Sequence, residues 1–265
     1  MRSTAVRRTA LAVSAAACSL VVTACGAGQG GGDAADAKAS ASPAAVKALT
    51  AAQLEKRVLV QGDVKGQKIT EPGKKDVFAP GTVSVGKAAC DPVGHVLSSL
   101  PSADPEASVR RLAVHESAKA KKGMPSMDEL ADMSEQEAKD ATIDSLDITK
   151  TMTALWSYDG DGAQRALDAL RAAGKKCAAG FSMTTDGEKM QVTGVKSEKL
   201  AVGDDAVAWT VGTKEDGTPA DTKVAVVRVG GTLAGFSSFN IAAVTRGESY
   251  AQPTDVIEKQ IAKLG

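Results

Sequence analysis

The chain has 265 residues, with 32 Lys or Arg balanced by 32 Asp or Glu, so it has no basic surplus to favour nucleic acid or an anionic membrane surface. Hydrophobic residues make up 43% of the chain and aromatic residues only 3%, which predicts a core built mainly of Val, Leu and Ala. We therefore expect a globular protein without a nucleic-acid partner.

The first 24 residues have the pattern of an export signal. Arg2, Arg7 and Arg8 form a positive start, and residues 10–24 are apolar or small without a charge. A membrane-spanning helix needs about 20 apolar residues, so this shorter run predicts a signal peptide that is removed. The remaining chain keeps 29 basic and 32 acidic residues, a formal net charge of −3.

The signal ends in Val22-Thr23-Ala24-Cys25-Gly26, which resembles the lipobox of bacterial lipoproteins. This resemblance implies that Cys25 becomes the lipidated N-terminus, with palmitate among its acyl chains; the alternative is a secreted protein with a chance cysteine. Because each buried CH₂ adds ~0.8 kcal/mol, two or three chains would hold the protein on the membrane. The rest of segment 25–48 is mostly Gly, Ala and Ser, which predicts a flexible linker with a reach of roughly 25 Å.

Residues 49–265 are predicted to form one extracytoplasmic domain that begins with a short helix at 49–60. A passage rich in Gly, Lys and Pro follows. The apolar spacing then predicts a strand at 82–85, a helix at 90–100 with Asp91 and Pro92 in its first turn, and strands at 108–117 and 146–158.

Segment 119–140 carries a basic run, then an acidic run, and three methionines, Met124, Met127 and Met133. We interpret it as a solvated excursion with one or two helical turns. The alternative is an adaptable binding surface formed by the methionines.

The clearest helix begins after Asp161 and has a stripe of small and apolar residues from Ala163 to Cys177. Asp161 and Gln164 have the spacing of a capping box. Residues 159–162 read as a turn rather than a calcium loop, because the following positions lack the required ligands.

From residue 181 onward, alternating apolar residues predict successive strands, with hairpin turns at 215–217 and 230–231. A last helix begins near Asp255, where Asp255 and Glu258 suggest a second capping box. Sequential hairpins with spaced helices predict an α+β fold, in which helices cover one face of an antiparallel β-sheet.

Two cysteines, Cys90 and Cys177, remain in the exported domain, and an oxidising compartment favours a disulfide between them. The alternative is a pair of buried free thiols. The sequence has no CxxC motif and no His paired with Cys, so we predict no metal and no cofactor.

A family resemblance covers residues 80–265. It rests on Trp156-Ser157-Tyr158-Asp159-Gly160, a helix ending in Lys176-Cys177, Gly203-Asp204-Asp205-Ala206, strands around Gly230-Gly231, and a terminal helix at 257–264. These features resemble actinobacterial lipoproteins that look like the extracellular sensor domain of PknH-type receptor kinases. The resemblance implies a mixed α+β fold with helices around a cleft and an unidentified ligand. Such domains usually carry two disulfides, whereas this one can form one internally.

No known catalytic motif is present, so no catalytic residue is assigned, although an arrangement using His95 or His115 stays open. We predict a non-catalytic binding or sensor-like module, lipid-anchored on the extracytoplasmic face of the cell membrane, for a small ligand or an envelope protein. Trp156, Tyr158 and Trp209 are the candidate ligand contacts, with core packing as the alternative. The other functions considered are a cell-envelope hydrolase and a purely structural envelope lipoprotein.

Overall fold

A computed structural model describes residues 46–265 except residue 216. The predicted signal peptide 1–24, the lipidation site Cys25 and most of the linker lie outside the described residues. Within the described part, no helix has both the length and the apolar character needed to cross a bilayer.

Nine strands of the described chain form one antiparallel sheet in the order β1-β3-β4-β9-β8-β7-β6-β5-β2. The strands are β1 Gln67–Thr70, β2 Val83–Val85, β3 Ala107–Glu116, β4 Ile148–Ser157, β5 Phe181–Thr185, β6 Glu188–Glu198, β7 Asp205–Glu215, β8 Thr218–Val229 and β9 Thr232–Asn240. Strands β7 and β8 pair as a hairpin across the turn predicted at 215–217, and the predicted two-residue loop at 230–231 joins β8 to β9. The predicted fold class, an α+β antiparallel sheet covered by helices, is confirmed.

The described α-helices lie between or after these strands. They are α1 Ala51–Glu55, α2 Asp91–Leu97, α3 Met127–Ala131, α4 Glu135–Ser145, α5 Gly162–Lys176, α6 Ile241–Arg246 and α7 Thr254–Leu264. Helix α5 buries its predicted small-residue stripe, including Leu167 and Leu170, because those residues recur at helical spacing.

Helices cover both faces of the sheet, so the prediction of a single covered face was wrong. On one face, here called the Trp156 face, α2 and α5 pack in a core that contains Trp156 and Trp209. On the other, the Leu155 face, α1 and α7 pack in a second core around Leu155. The physical reason is visible in residues 224–227, where successive side chains are all buried, as in a strand covered on both sides.

Both predicted capping boxes were also wrong. Asp161 precedes α5 but makes no side-chain cap and instead pairs with Arg165. Asp255 lies inside α7, which begins one residue earlier, and its carboxylate accepts a hydrogen bond from Gln67 at 3.2 Å. In both places another partner for the carboxylate competes with the helix N-terminus.

Segment 119–140 is more helical than predicted, since it contains α3 and most of α4, which has 11 residues. Met127 is 81% exposed and Met124 55% exposed. The alternative function of these methionines as a binding surface stays a prediction.

The predicted disulfide between Cys90 and Cys177 is present, with Cα atoms 5.8 Å apart and both residues fully buried. It joins the start of α2 to the end of α5 on the Trp156 face. Hydrogen bonds to the domain begin at Val46, whose carbonyl accepts the Gly160 amide at 2.7 Å, inside the stretch assigned to the linker.

Candidate functional site: a cleft on the Trp156 face

Helices α2 and α5 cover only part of the Trp156 face of the sheet. The uncovered part forms the floor of a cleft of about 340 Å³. This volume lies within the range of small-molecule sites. We call it the α2 cleft, and its lining residues are Lys75, Asp76, Phe78, Leu97, Ser98, Ser99, Leu112, Lys150, Met152, Thr185, Met190, Thr213, Thr222, Ser237 and Phe239.

One wall of the α2 cleft is the C-terminal end of α2. The hydroxyl of Ser237, on β9, donates a hydrogen bond to the Leu97 carbonyl at 2.9 Å. This bond satisfies one of the carbonyl groups that a helix end leaves unpaired. Ser99 follows with φ +56°, a left-handed conformation that turns the chain away from the helix axis. The wall is therefore anchored directly to the sheet.

The opposite wall is the turn at 73–78, which leads towards β2. A carboxylate oxygen of Asp76 accepts the Gly73 amide at 2.9 Å and closes this turn. Phe78 follows and packs, partly buried, against the core of the Trp156 face. Phe78 therefore contacts the core and also lines the cleft.

The floor is built by strand register, because alternate residues of paired strands point to the same face. Leu112 on β3 is paired with Met152 on β4, which is paired with Ser237 on β9. In the next outward row, Lys150 is paired with Phe239, which is 40% exposed. Apolar side chains dominate this half of the floor, while threonines from β5, β7 and β8 line the other half.

The charges of the α2 cleft are Lys75, Lys150 and Asp76. Neither lysine forms an ion pair within the described part of the chain. The Asp76 carboxylate is engaged by the backbone, as described above. The cleft therefore combines an apolar floor with an excess of positive charge at its rim.

The three aromatic residues predicted to contact a ligand lie in the core. Trp156, Trp209 and Tyr158 are 1%, 3% and 4% exposed, and none of them lines the α2 cleft. A Cβ added at Gly235 would overlap the Trp156 ring, so this glycine provides the space that the indole occupies. Their function in ligand contact stays a prediction.

The hydroxyl of Tyr158 donates to the Ala103 carbonyl at 3.3 Å. Burial, with a smaller contribution from the Asp104 charge, raises the pKa of Tyr158 far above its ordinary value. The phenol is therefore a neutral hydrogen-bond donor at physiological pH.

The residues that do line the cleft were not singled out in the sequence. Phe78 and Phe239 lie about 160 residues apart, and Leu112, Met152 and Met190 come from three different strands. One cleft residue could have been noticed in the sequence. Phe239 is an aromatic residue at the end of an apolar strand, where its side chain stays exposed if no helix covers it.

A second depression, of about 490 Å³, lies on the Leu155 face at the β2–β5–β6–β7 side of the sheet. It is larger but more open, and the side chains that point into it are mainly Ser84, Ser182, Thr184, Lys189, Gln191 and Lys214. This groove offers little apolar contact area, so we favour the α2 cleft as the ligand site.

A buried polar cluster occupies the Leu155 face near α7. The ammonium of Lys223 lies 2.6 Å from Glu198 Oε1 and 5.7 Å from the centre of the Tyr250 ring, and the residue is 6% exposed. Gln252 donates to the other oxygen of Glu198 at 2.8 Å. Burial acts to raise the pKa of Glu198, but the hydrogen bonds from Lys223, Thr210 and Gln252 outweigh it and hold the pKa below its ordinary value.

The two histidines lie on different faces of the molecule. His95 is on α2, whereas His115 is on β3, where its ring lies 3.3 Å from the Gly66 carbonyl. They do not share a site. Across the described residues, no group of three or more His, Cys, Asp or Glu side chains is placed to hold a metal ion.

Comparison with known proteins shows a likeness in fold. No protein-family model matches the chain, and no curated protein matches it. Among solved structures, the extracellular domain of PknH from Mycobacterium tuberculosis is similar, with a TM-score of 0.51 and 10% sequence identity. The match covers 82% of this chain and 97% of that domain. At this identity the likeness shows a shared fold.

Proposed function

We propose that this chain is a membrane-anchored extracytoplasmic lipoprotein whose domain binds a small ligand in the α2 cleft and acts as a non-catalytic sensor-like module. The observation that carries the proposal is the cleft itself, which leaves Phe239 exposed and other apolar side chains partly exposed. Beside them lie two lysines that form no ion pair in the described part of the chain. Burying such surface against a ligand contributes about 25 cal/mol per Å². A ligand with an apolar part therefore fits this site.

Three further features support the proposal. The lipobox at Cys25 fits a tethered protein, the internal disulfide fits an oxidising compartment, and the fold is similar to an extracellular domain. No specific observation favours the hydrolase alternative. His95 and His115, the two histidines considered for it, lie on different faces of the molecule and do not share a site.

We expect Cys25→Ala to release the protein from the membrane, because the substitution removes the only attachment point that the proposal assigns. The measurement is the distribution of the protein between membrane and soluble fractions of its host. Cys18→Ala is the matched control, since Cys18 lies inside the predicted signal peptide. A Cys25→Ala protein that stays in the membrane fraction to the same extent as the wild type would contradict the tether.

We expect Phe239→Ala to weaken binding of an uncharged apolar probe, N-phenyl-1-naphthylamine, by about fivefold to tenfold. The reason is the loss of aromatic contact area in the cleft. Fluorescence titration of the full chain gives the dissociation constant.

Met127→Ala is the matched control for this titration, because Met127 is more exposed than Phe239 and lies outside the cleft. Equal weakening by the two substitutions would mean that the probe binds exposed apolar surface in general. That result would contradict the proposed binding site.

A further inference from the structure

We propose that the α2 cleft takes an amphipathic anion, with an alkyl chain on its apolar floor and a carboxylate or phosphate head beside Lys150. This inference rests on the proposed function and specifies the chemical class of the ligand.

The position of Lys150 carries the argument. It is paired with Phe239 and lies two residues from Met152 on the same strand, so it lies at the edge of the apolar floor. Residues two apart on one face of a strand are about 7 Å from each other. An alkyl chain lying on Met152 and Phe239 would therefore bring its head to the ammonium group.

The charge of Lys150 is not paired within the described part of the structure. In the described residues Lys150 has no ion-pair partner, and the single carboxylate among the lining residues, Asp76, accepts a backbone amide in the opposite wall. Lys75 in that wall adds a second positive charge. A partly enclosed cleft with an unbalanced positive charge favours a ligand of opposite charge.

One further cation lies on this face of the sheet. Arg110 is half-buried on the same face of β3, two residues from Leu112, and no ion pair or hydrogen bond of its guanidinium is present in the described structure. Burial lowers its pKa, but an arginine stays charged. Arg110 therefore adds a positive charge to the sheet face that carries the cleft.

The test compares four ligands with the same ten-carbon chain, below their micelle concentrations: decyl phosphate, decanoate, decyltrimethylammonium and uncharged decyl maltoside. The full chain carries Cys25→Ser, so that no attached lipid competes. Calorimetry gives the affinities, and the ¹³C-methyl signals of Met152 and Met190 report binding in the cleft. Met127 is the internal control outside it.

We expect decyl phosphate, decanoate or both to shift the Met152 and Met190 signals and to bind at least tenfold more tightly than decyltrimethylammonium. The stronger of the two anions identifies the head group. We expect Lys150→Met to weaken anion binding about tenfold and Lys75→Met to weaken it less, whereas Lys175→Met, on the exposed side of α5, leaves it unchanged.

Equal affinity of all four ligands, with the same methyl shifts, would overturn the anion preference and leave the binding site intact. If no ligand, including decyl maltoside, shifts Met152 or Met190, the proposed function itself is contradicted. Unchanged anion affinity in Lys150→Met would overturn the assigned position of the head group.

Discussion

Removal of the Cys90–Cys177 disulfide is expected to lower the free energy of unfolding by about 4 to 5 kcal/mol. The two residues are 87 positions apart, and the entropy of closing a loop of that length in the unfolded chain gives this magnitude. Both residues are fully buried, so Cys→Ala substitutions avoid placing a polar hydroxyl in the core. Urea unfolding of Cys90→Ala, Cys177→Ala and the double variant measures the loss.

The three variants should lose nearly the same free energy, because either single substitution already removes the bridge. The disulfide also holds α2 next to α5, and the end of α2 is a wall of the cleft. We therefore expect weaker binding of the uncharged probe in all three variants. A loss below 1 kcal/mol would show that the bridge does not stabilise the domain in this way.

The second large effect is expected at the ion pair between the buried Lys223 and the partly buried Glu198. Glu198→Leu leaves the ammonium of Lys223 buried without its counter-charge, and should cost about 3 kcal/mol of stability. The double variant Glu198→Leu/Lys223→Met removes both charges and should recover a large part of that loss, since no buried charge remains unpaired. Chemical unfolding at pH 7 gives the free energies.

Asp161→Ala is the control, because Asp161 and Arg165 form an exposed ion pair on α5. Exposed pairs contribute little, so we expect a change below about 1 kcal/mol. The single variant Lys223→Met completes the comparison. If the double variant loses as much stability as Glu198→Leu and Lys223→Met added together, the ion pair is not the source of the effect.

Acid should destabilise the wild type more than the double variant Glu198→Leu/Lys223→Met. The pKa of Glu198 in the folded protein lies below its ordinary value of 4.5, so the stabilisation by the ionised carboxylate is fully present above that pH. It is lost as the pH falls through the folded-state pKa. The wild type should therefore lose more stability than the double variant between pH 5 and roughly pH 3.

The sequence predicts the fold where a single local pattern dominates. The small-residue stripe from Ala163 to Cys177 defined α5, and the two-residue hairpin at 230–231 defined β8 and β9, because both depend on near neighbours. Strand β1 was missed because it has only four residues, too few for a clear alternating pattern. It lies at the edge of the sheet, where the side-chain carbonyl of Gln61 accepts the Ile69 amide at 2.8 Å.

The helix caps show how local signals compete. Thr50 with Gln53, Ser126 with Glu129 and Ser134 with Glu137 form real capping boxes, and their spacing is visible in the sequence. The pairs predicted at Asp161 and Asp255 have the same spacing but find partners elsewhere. A cap is therefore a prediction that tertiary contacts can overrule.

The face that a helix covers and the residues that form a cleft depend on long-range register. Periodicity identifies the buried stripe of α7 but does not say which face of the sheet receives it, so the covering of both faces was missed. The α2 cleft is assembled from residues between 75 and 239. No segment of the chain carries that arrangement alone.

The central claim, that the α2 cleft holds a ligand, is tested most directly by native mass spectrometry of the full chain extracted from its own host in a detergent of known mass. Each native spectrum is compared with a denaturing spectrum of the same sample, so that a lipid attached at Cys25 appears in both. We predict an additional non-covalent mass, distinct from the detergent, in the wild type and its loss in Phe239→Ala. A wild-type chain that carries no such mass, or an equal mass retained by Phe239→Ala, would contradict the claim.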